Sequence, residues 1–459
     1  MTSSPRSGRE PPLSQENARR AASYVLDHPG SDGVDVVIAG SSTGLTRYAG
    51  SQIIQNTARD DVRAYVRVVV GDRVASASTN QLDAEHMREA AAGALVAARA
   101  SRPDAEFPGL ARPEHTGRAE PLFRWDEATA GTSPGARAAA VGSILAVVGD
   151  AHAAGIYETS AHAYSVLSST GVDCYDCHTR CVTTCLVDTG ASTGWGEASS
   201  HTAADVNVRA AAQRAVDKAR MGAAATDVDP GAYEVVLEPA AVATMVEYLA
   251  YAGFGAKQVI DGESFLSDGH GQEVAAPTIT IADDVSHPSS VGIAFDFEGV
   301  PKRRVAVIDD GRATRPVNDM RTALKLGDEL TGHFSGSNEL GPYASNVVLG
   351  AGDRSDEELI GEVEDGLLVT RFHYVNILDR RRTLLTGMTR DGTFRIRDGV
   401  VSGAVHNMRF TESVLDALAS AQGVGRDVVA FAPEYGSFGS AVAPSVRLGR
   451  FHFTSKTSH

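Results

Sequence analysis

The stretch MVEYLAYAGFG, Met245 to Gly255, sets one carboxylate, Glu247, in an otherwise apolar and aromatic run. A glutamate so placed can act as a general base toward water, provided that neighbouring groups hold and polarise that water. A second concentration of chemistry is CYDCHTRCVTTC, Cys174 to Cys185, which contains all four cysteines of the chain. Its C-x2-C-x3-C-x3-C spacing is that of metal or iron–sulfur ligation, and Cys177-His178 is a fragment of a haem-attachment signature. The flanks are rich in Val, Thr and Tyr, however, and predict one long strand entered from the Ser169-Thr170-Gly171 turn. On a strand Cys177, Cys181 and Cys185 share one face and Cys174 takes the other; steps of four residues separate the sulfurs by about 13 Å. That exceeds one ion's reach, so the cysteines are expected to be reduced and packed as small hydrophobes. Another signal is absent: GFGAKQ lacks the third glycine of a dinucleotide fingerprint.

The elements that must position these residues follow from pattern. VDVVIAG, GLTRYAGSQII, DVRAYVRVVV and RVASAST are strand-like, with Gly71-Asp72 as a hairpin turn, and Leu82 to Ala100 is helical. After a Pro-punctuated connector come the Ala-rich helix PGARAAAVGSILAVVGDAHAAG, strands near Ile156–Leu167, Val172–Val187 and Gly190–Ser200, and the helix NVRAAAQRAVDKARMG. This is α+β: an N-terminal α/β part over 18–228, of antiparallel sheet with helices in two units (about 18–105 and 120–228), then a β-rich, barrel-like domain over 229–459. Residues 1–17 are expected to be disordered. Turn signals in the second domain stand at Asp309-Asp310-Gly311, Arg390-Asp391-Gly392 and Arg397-Asp398-Gly399. EVVLEP, Glu234 to Pro239, reads as a strand running into the helix AAVATMVEYLAYAG, whose core stripe is Val242, Met245, Leu249 and Ala252. Glu247 lies off that stripe with Tyr251, either facing solvent or bonded to that tyrosine.

With 459 residues and 42% hydrophobic content the chain can build two or three cores. Its net charge of −16 is spread, and no Lys/Arg cluster tracks a phosphate backbone, which argues against nucleic acid. No apolar run suits a bilayer and the start lacks a signal-peptide pattern, so the expected location is cytoplasmic, with no membrane partner.

Over nearly its whole length the chain resembles the TldD/TldE (PmbA) metallopeptidase family. The stretches that carry the resemblance are GLTRYAGSQIIQN, ASASTNQLD, SSTG, QVIDGESFLSDGHGQEVAAPTITIADD, FDFEGVPKRRVAVIDDG, TGH and EVEDGLLVTRFHYVN. The resemblance implies a two-part fold and, in TldD-type members, an HExxxH sequence on the helix after the first C-terminal strand, with a glycine-flanked cysteine completing a metal site. Here Val246-Glu247-Tyr248-Leu249-Ala250-Tyr251 and the GSFGS segment, with Phe438, stand at those positions. Val246, Tyr251 and Phe438 are thus degenerate metal positions, Glu247 alone is retained, and none of the fourteen histidines precedes a glutamate.

The resemblance therefore implies a TldE-type subunit, without catalytic residues or a bound cofactor of its own. It would form a heterodimer with a TldD-type partner that holds zinc and hydrolyses unfolded peptides, including in peptide natural product maturation. Glu247, His373, Asn376 and Arg390 are candidate cleft-lining residues; His373 reads equally as a strand histidine and Arg390 as a hairpin-turn arginine. The alternatives are a homodimeric peptide-binding or scaffold protein without protease activity, and a metalloprotein using Cys174–Cys185.

Overall fold

The computed structural model describes residues 10–434 and 438–456. The N-terminal part is one six-stranded antiparallel sheet in the order β3-β2-β1-β4-β5-β6, built from β1 (Gly33–Ala49), β2 (Gln52–Val70), β3 (Arg73–Thr79), β4 (His152–Ser168), β5 (Asp173–Asp188) and β6 (Thr193–Ser200). The two expected units therefore share a single sheet, because β1 pairs with β4 from Asp35↔Ser168 to Tyr48↔Gly155. The strand patterns near residues 34–54 also merge into the long β1, which turns at Gly50 (φ 57) and Ser51 (φ 60), the left-handed pair that a tight hairpin demands. The helix Gln15–Ser23 starts inside the segment expected to be disordered, with Ser14 capping the Asn17 N–H and Leu13 buried below it.

One face of the sheet is covered by the helices Ala84–Ala100, Pro134–Val148 and Val208–Met221. Each begins at a polar cap: Asp83 accepts from the Glu85 and His86 N–H groups, Ser133 from Ala136 and Asn207 from Ala210. The C-terminal domain covers part of the other face, where Tyr164, Val166, Val172 and Cys174 pack with Ile293, Phe295 and Val300. This two-sided burial explains β5. Cys177, Cys181 and Cys185 point to the helices, while Asp176, His178 and Arg180 alternate with them and stay buried.

The C-terminal strands are β7 (Gly231–Leu237), β8 (Ile281–Asp283), β9 (Val305–Asp309), β10 (Arg312–Ala313), β11 (Asn346–Leu349), β12 (Asp365–Asp379), β13 (Leu384–Arg397), β14 (Val400–Ala404), β15 (Met408–Ser413), β16 (Ala421–Val424), β17 (Val429–Phe431), β18 (Ser440–Ala443) and β19 (Val446–Lys456). They form a six-stranded sheet, β10-β9-β8-β11-β18-β17, and a seven-stranded one whose path β12-β7-β19-β15-β13-β14 bends back on itself, because β12 also pairs with β13. Ring-like closure is thus confined to part of one sheet. Asp310-Gly311 and Asp398-Gly399 make left-handed hairpin turns. Asp391 (φ 54) and Gly392 (φ 138) instead lie inside β13, where the same residue types make a bulge opposite Val369–Arg371.

The helix Pro239–Gly253 leaves β7 with proline in its first turn and lies against β12 on one side and β18 on the other. The expected core stripe is buried, but so are Ala241, Ala243, Val246, Tyr248 and Ala250. A helix packed on both sides is apolar nearly all round, which is why a single-faced pattern understates its burial.

Candidate functional site

Glu247 is half-buried and lines a cavity of about 690 Å³ with Tyr248, Tyr251, Leu340, Tyr343 and Asn376. Its two carboxylate oxygens accept the Glu434 N–H at 2.9 and 3.2 Å. Tyr248, on the buried side of the helix, donates its hydroxyl to the Val375 carbonyl at 2.8 Å. The Tyr251 ring meets Tyr343 edge-on at 6.3 Å, and the Arg380 guanidinium lies over it, 4.8 Å from the ring centroid. Burial and the nearby Glu247 charge push the Tyr343 hydroxyl well above the ordinary tyrosine range. The acid therefore sits in an aromatic pocket and is tied to backbone.

Phe438 lies on the far side of Tyr343, in a cavity of about 200 Å³ shared with Asp296, Lys302, His333 and Ser345. Its ring is 5.7 Å from Tyr164 and 5.5 Å from Phe297, and the Lys302 ammonium sits 4.9 Å from its centroid. Phe438 thereby joins the C-terminal domain to the N-terminal sheet. Gly436 and Ser437 of the GSFGS segment lie outside the described residues. Behind the ring is a closed polar set: His333 Nε2 is 3.0 Å from Asp283, its Nδ1 is 2.9 Å from the Thr331 hydroxyl, and Lys302 donates to Ser345 at 2.8 Å. Burial lowers the Lys302 ammonium, while Asp283 and Asp296 oppose that shift.

These residues do not fit a zinc ion. Val246 is wholly buried in the hydrophobic core, Tyr251 is occupied by ring contacts, and Phe438 offers no donor. The cysteines do not converge either. Cys177 belongs to one core cluster, Cys181 and Cys185 to another, and Cys174 faces Gly299 across the sheet. Burial raises all four thiols, to about 11 for Cys174, Cys177 and Cys181, the setting of inert packing residues. Among the described residues no group of three or more His, Cys, Asp or Glu is disposed to hold a metal ion.

The other candidates divide. Asn376 lines the Glu247 cavity and donates to the Tyr374 carbonyl at 3.2 Å. His373 and Arg390 are not among its lining residues. The His373 ring packs 4.3 Å from Tyr374, and burial, with Arg371 and Arg390, lowers its pKa. Arg390 pairs in register with Arg371 across the bulge, 3.8 Å from Asp391, so the bulge and not a hairpin turn holds it.

Sequence reasoning missed a further cavity of about 710 Å³ between the N-terminal sheet and the C-terminal domain. Arg67 crosses it, its Nε 3.0 Å from both Asp35 oxygens and its guanidinium 5.7 Å from the Phe334 ring centre. The available signal was the alternation of Arg59, Asp61, Arg63, Tyr65 and Arg67, which places all five on one face of β2.

An antiparallel sheet with helices on one face, docked on a domain whose two sheets enclose a glutamate-bearing helix, defines a two-part α+β protein. Its fold is that of TldE from Thermococcus kodakarensis, with a TM-score of 0.84, 20% sequence identity, and 96% of this chain and 99% of that one covered. Residues 230–455 match the PmbA/TldA metallopeptidase C-terminal domain and residues 34–98 match PmbA/TldA metallopeptidase domain 1. The chain belongs to the PmbA/TldD metallopeptidase family. It is similar to a metalloprotease of Methanothermobacter thermautotrophicus, 28% identical over 43% of either chain, and to one of Synechocystis, 26% identical over 52% of this chain and 50% of that. The matched segment spans half or less of those relatives' length.

Proposed function

We propose that this chain is the metal-free, TldE-type subunit of a heterodimeric peptidase whose TldD-type subunit holds the zinc and cleaves unfolded peptides, including precursors of peptide natural products. One observation carries the reading: at the three positions that the resemblance gives to metal donors stand a core valine, a tyrosine edge-on to another ring and an interdomain phenylalanine, around a glutamate bonded to backbone. In this reading those three side chains would not hold a metal that could polarise water for Glu247. In this reading Glu247 and Asn376 form part of the wall that encloses the peptide, and the pair works in the cytoplasm. Among the described residues no helix is long and apolar enough to cross a membrane.

The test is to purify the chain alone and together with a TldD-type chain. Alone it should carry no stoichiometric zinc or iron and leave an unfolded peptide such as a reduced, alkylated polypeptide intact. Together, the two should co-elute and hydrolysis should rise sharply. One equivalent of firmly bound metal in the isolated chain, or full activity without a partner, contradicts the proposal.

A further inference from the structure

The cavity on the sheet face continues into a neighbouring one of about 380 Å³, with Ala39, Tyr65 and Tyr164 lining both. Together they form a trough along the side of β2 on which Arg59, Arg63 and Arg67 alternate with Asp61 and Tyr65. From Arg59 to Arg67 the strand rises roughly 26 Å, the length of about eight extended residues. The trough also leads onward. Phe297, Phe334 and Ser335 border both it and the Phe438 cavity, and Leu340 and Tyr343 border both that cavity and the one containing Glu247.

Most charges in the trough are already matched. Arg59 pairs with Asp61 at 2.9 Å, Arg67 with Asp35, and Arg321 with Asp104. Among the arginines the exceptions are Arg63 and Arg102: both are exposed, and neither makes an ion pair or hydrogen bond among the described residues, while the buried Asp319 of the lining accepts from Thr322. The wall opposite holds the buried Glu298, whose carboxyl burial and the adjacent Asp296 push up, which weakens its charge toward them. In a chain with a net charge of −16, two unmatched guanidinia in one aromatic-walled trough are a local exception. A guanidinium presents a fork that fits a carboxylate, and tyrosine and phenylalanine faces accept the flanking apolar side chains.

We propose that this trough binds an extended peptide bearing carboxylates, with Arg63 and Arg102 as the carboxylate-binding residues, so that the segment beyond the Glu247 cavity is selected for acidity. The inference rests on the proposed function only in taking a peptide as the ligand. Carboxylates come from acidic side chains or from a free C-terminus, and the test separates the two.

The experiment measures fluorescence anisotropy of the purified full chain with three labelled peptides of about ten residues: one with two glutamates and a free C-terminus, its C-terminal amide, and a glutamine version of the amide. The acidic peptides should bind about ten- to a hundredfold more tightly than the glutamine version, and the R63A/R102A variant should erase that difference while melting at the wild-type temperature. Equal binding of amide and free acid assigns the site to side chains; a gain only with the free terminus assigns it to the terminal carboxylate. Equal affinity for all three peptides, no binding, or an unchanged R63A/R102A variant overturns the proposal. Partner-dependent cleavage of the glutamine peptide is read alongside. If cleavage persists while the acidic preference is missing, only the trough assignment fails. If acidic peptides bind but no TldD-type chain confers cleavage, only the heterodimer reading fails.

Discussion

The Glu247 cavity and the sheet-face cavity are nearly equal in size, about 690 and 710 Å³, but they are built on opposite terms. The first has one acid, Glu247, and one guanidinium, Arg380, set among Tyr248, Tyr251, Tyr343 and Leu340. The second is lined with charge: Asp35, Arg67, Arg102, Asp104, Glu298, Asp319 and Arg321. Aromatic rings packed around the first fill space that a void would leave without contacts. In a charged cavity each buried charge must instead keep a partner. The difference teaches that one fold can build two cavities of nearly equal size, one walled by rings and the other by ion pairs, and the two should respond differently to substitution.

The largest expected effect tests whether the charged cavity is held together by its pairs. Asp35→Ala leaves the mostly buried Arg67 without its carboxylate and should cost about 3–5 kcal/mol in chemical denaturation, as breaking buried pairs does. A loss below about 1 kcal/mol would mean that Arg67 swings out and that the cavity tolerates an open charge.

A smaller effect concerns the histidines beside that cavity. His162 stacks on the buried His178 at 5.0 Å, and burial together with the Arg180 charge lowers His162 to about 4. Above the unfolded value of about 6.5 the ring is neutral in both states; as pH falls below it, the unfolded chain takes up the proton first, so stability is lost toward the folded value. Between pH 7 and pH 5 the wild type should therefore lose about 2 kcal/mol more than His162→Phe. Parallel pH profiles for the two proteins would contradict the buried, neutral assignment.

Phe438→Ala should destabilise by about 1–3 kcal/mol, less than a fully buried phenylalanine, because the ring is only half covered by Tyr164, Phe297 and Lys302. A neutral outcome would show that the ring does not join the domains. The smallest effect is on the thiols. With pKa values near 11, Cys174, Cys177 and Cys181 should resist alkylation at pH 8 in the native state and react only on unfolding. Rapid labelling of folded protein would reopen a chemical role for the cysteine strand.

The contrast also marks what the sequence could disclose. The facing of Cys177, Cys181 and Cys185 and the strand–Pro–helix start at Glu234–Pro239 were legible, because period-two alternation and proline in a first turn act locally. Pairing of β1 with β4 was not, since it joins segments about a hundred residues apart. Arg390-Asp391-Gly392 misled because left-handed residues serve bulges as well as hairpins. The half-burial of Glu247 was hidden because the second sheet that covers its helix is assembled from distant strands, and Glu434, which binds it, carries no signal of its own. The arginines of β2 were visible, but only the docked C-terminal domain turns their face into a cavity.

The most direct test of the central claim is the peptide hydrolysis rate of the assembled pair carrying Glu247→Gln in this chain. The account predicts a rate within about twofold of wild type, because in the proposed pair the base that works on the water would belong to the other subunit. A fall of about 10²–10⁴, the loss expected when a general base is removed, would place the catalytic base on this chain and contradict the account.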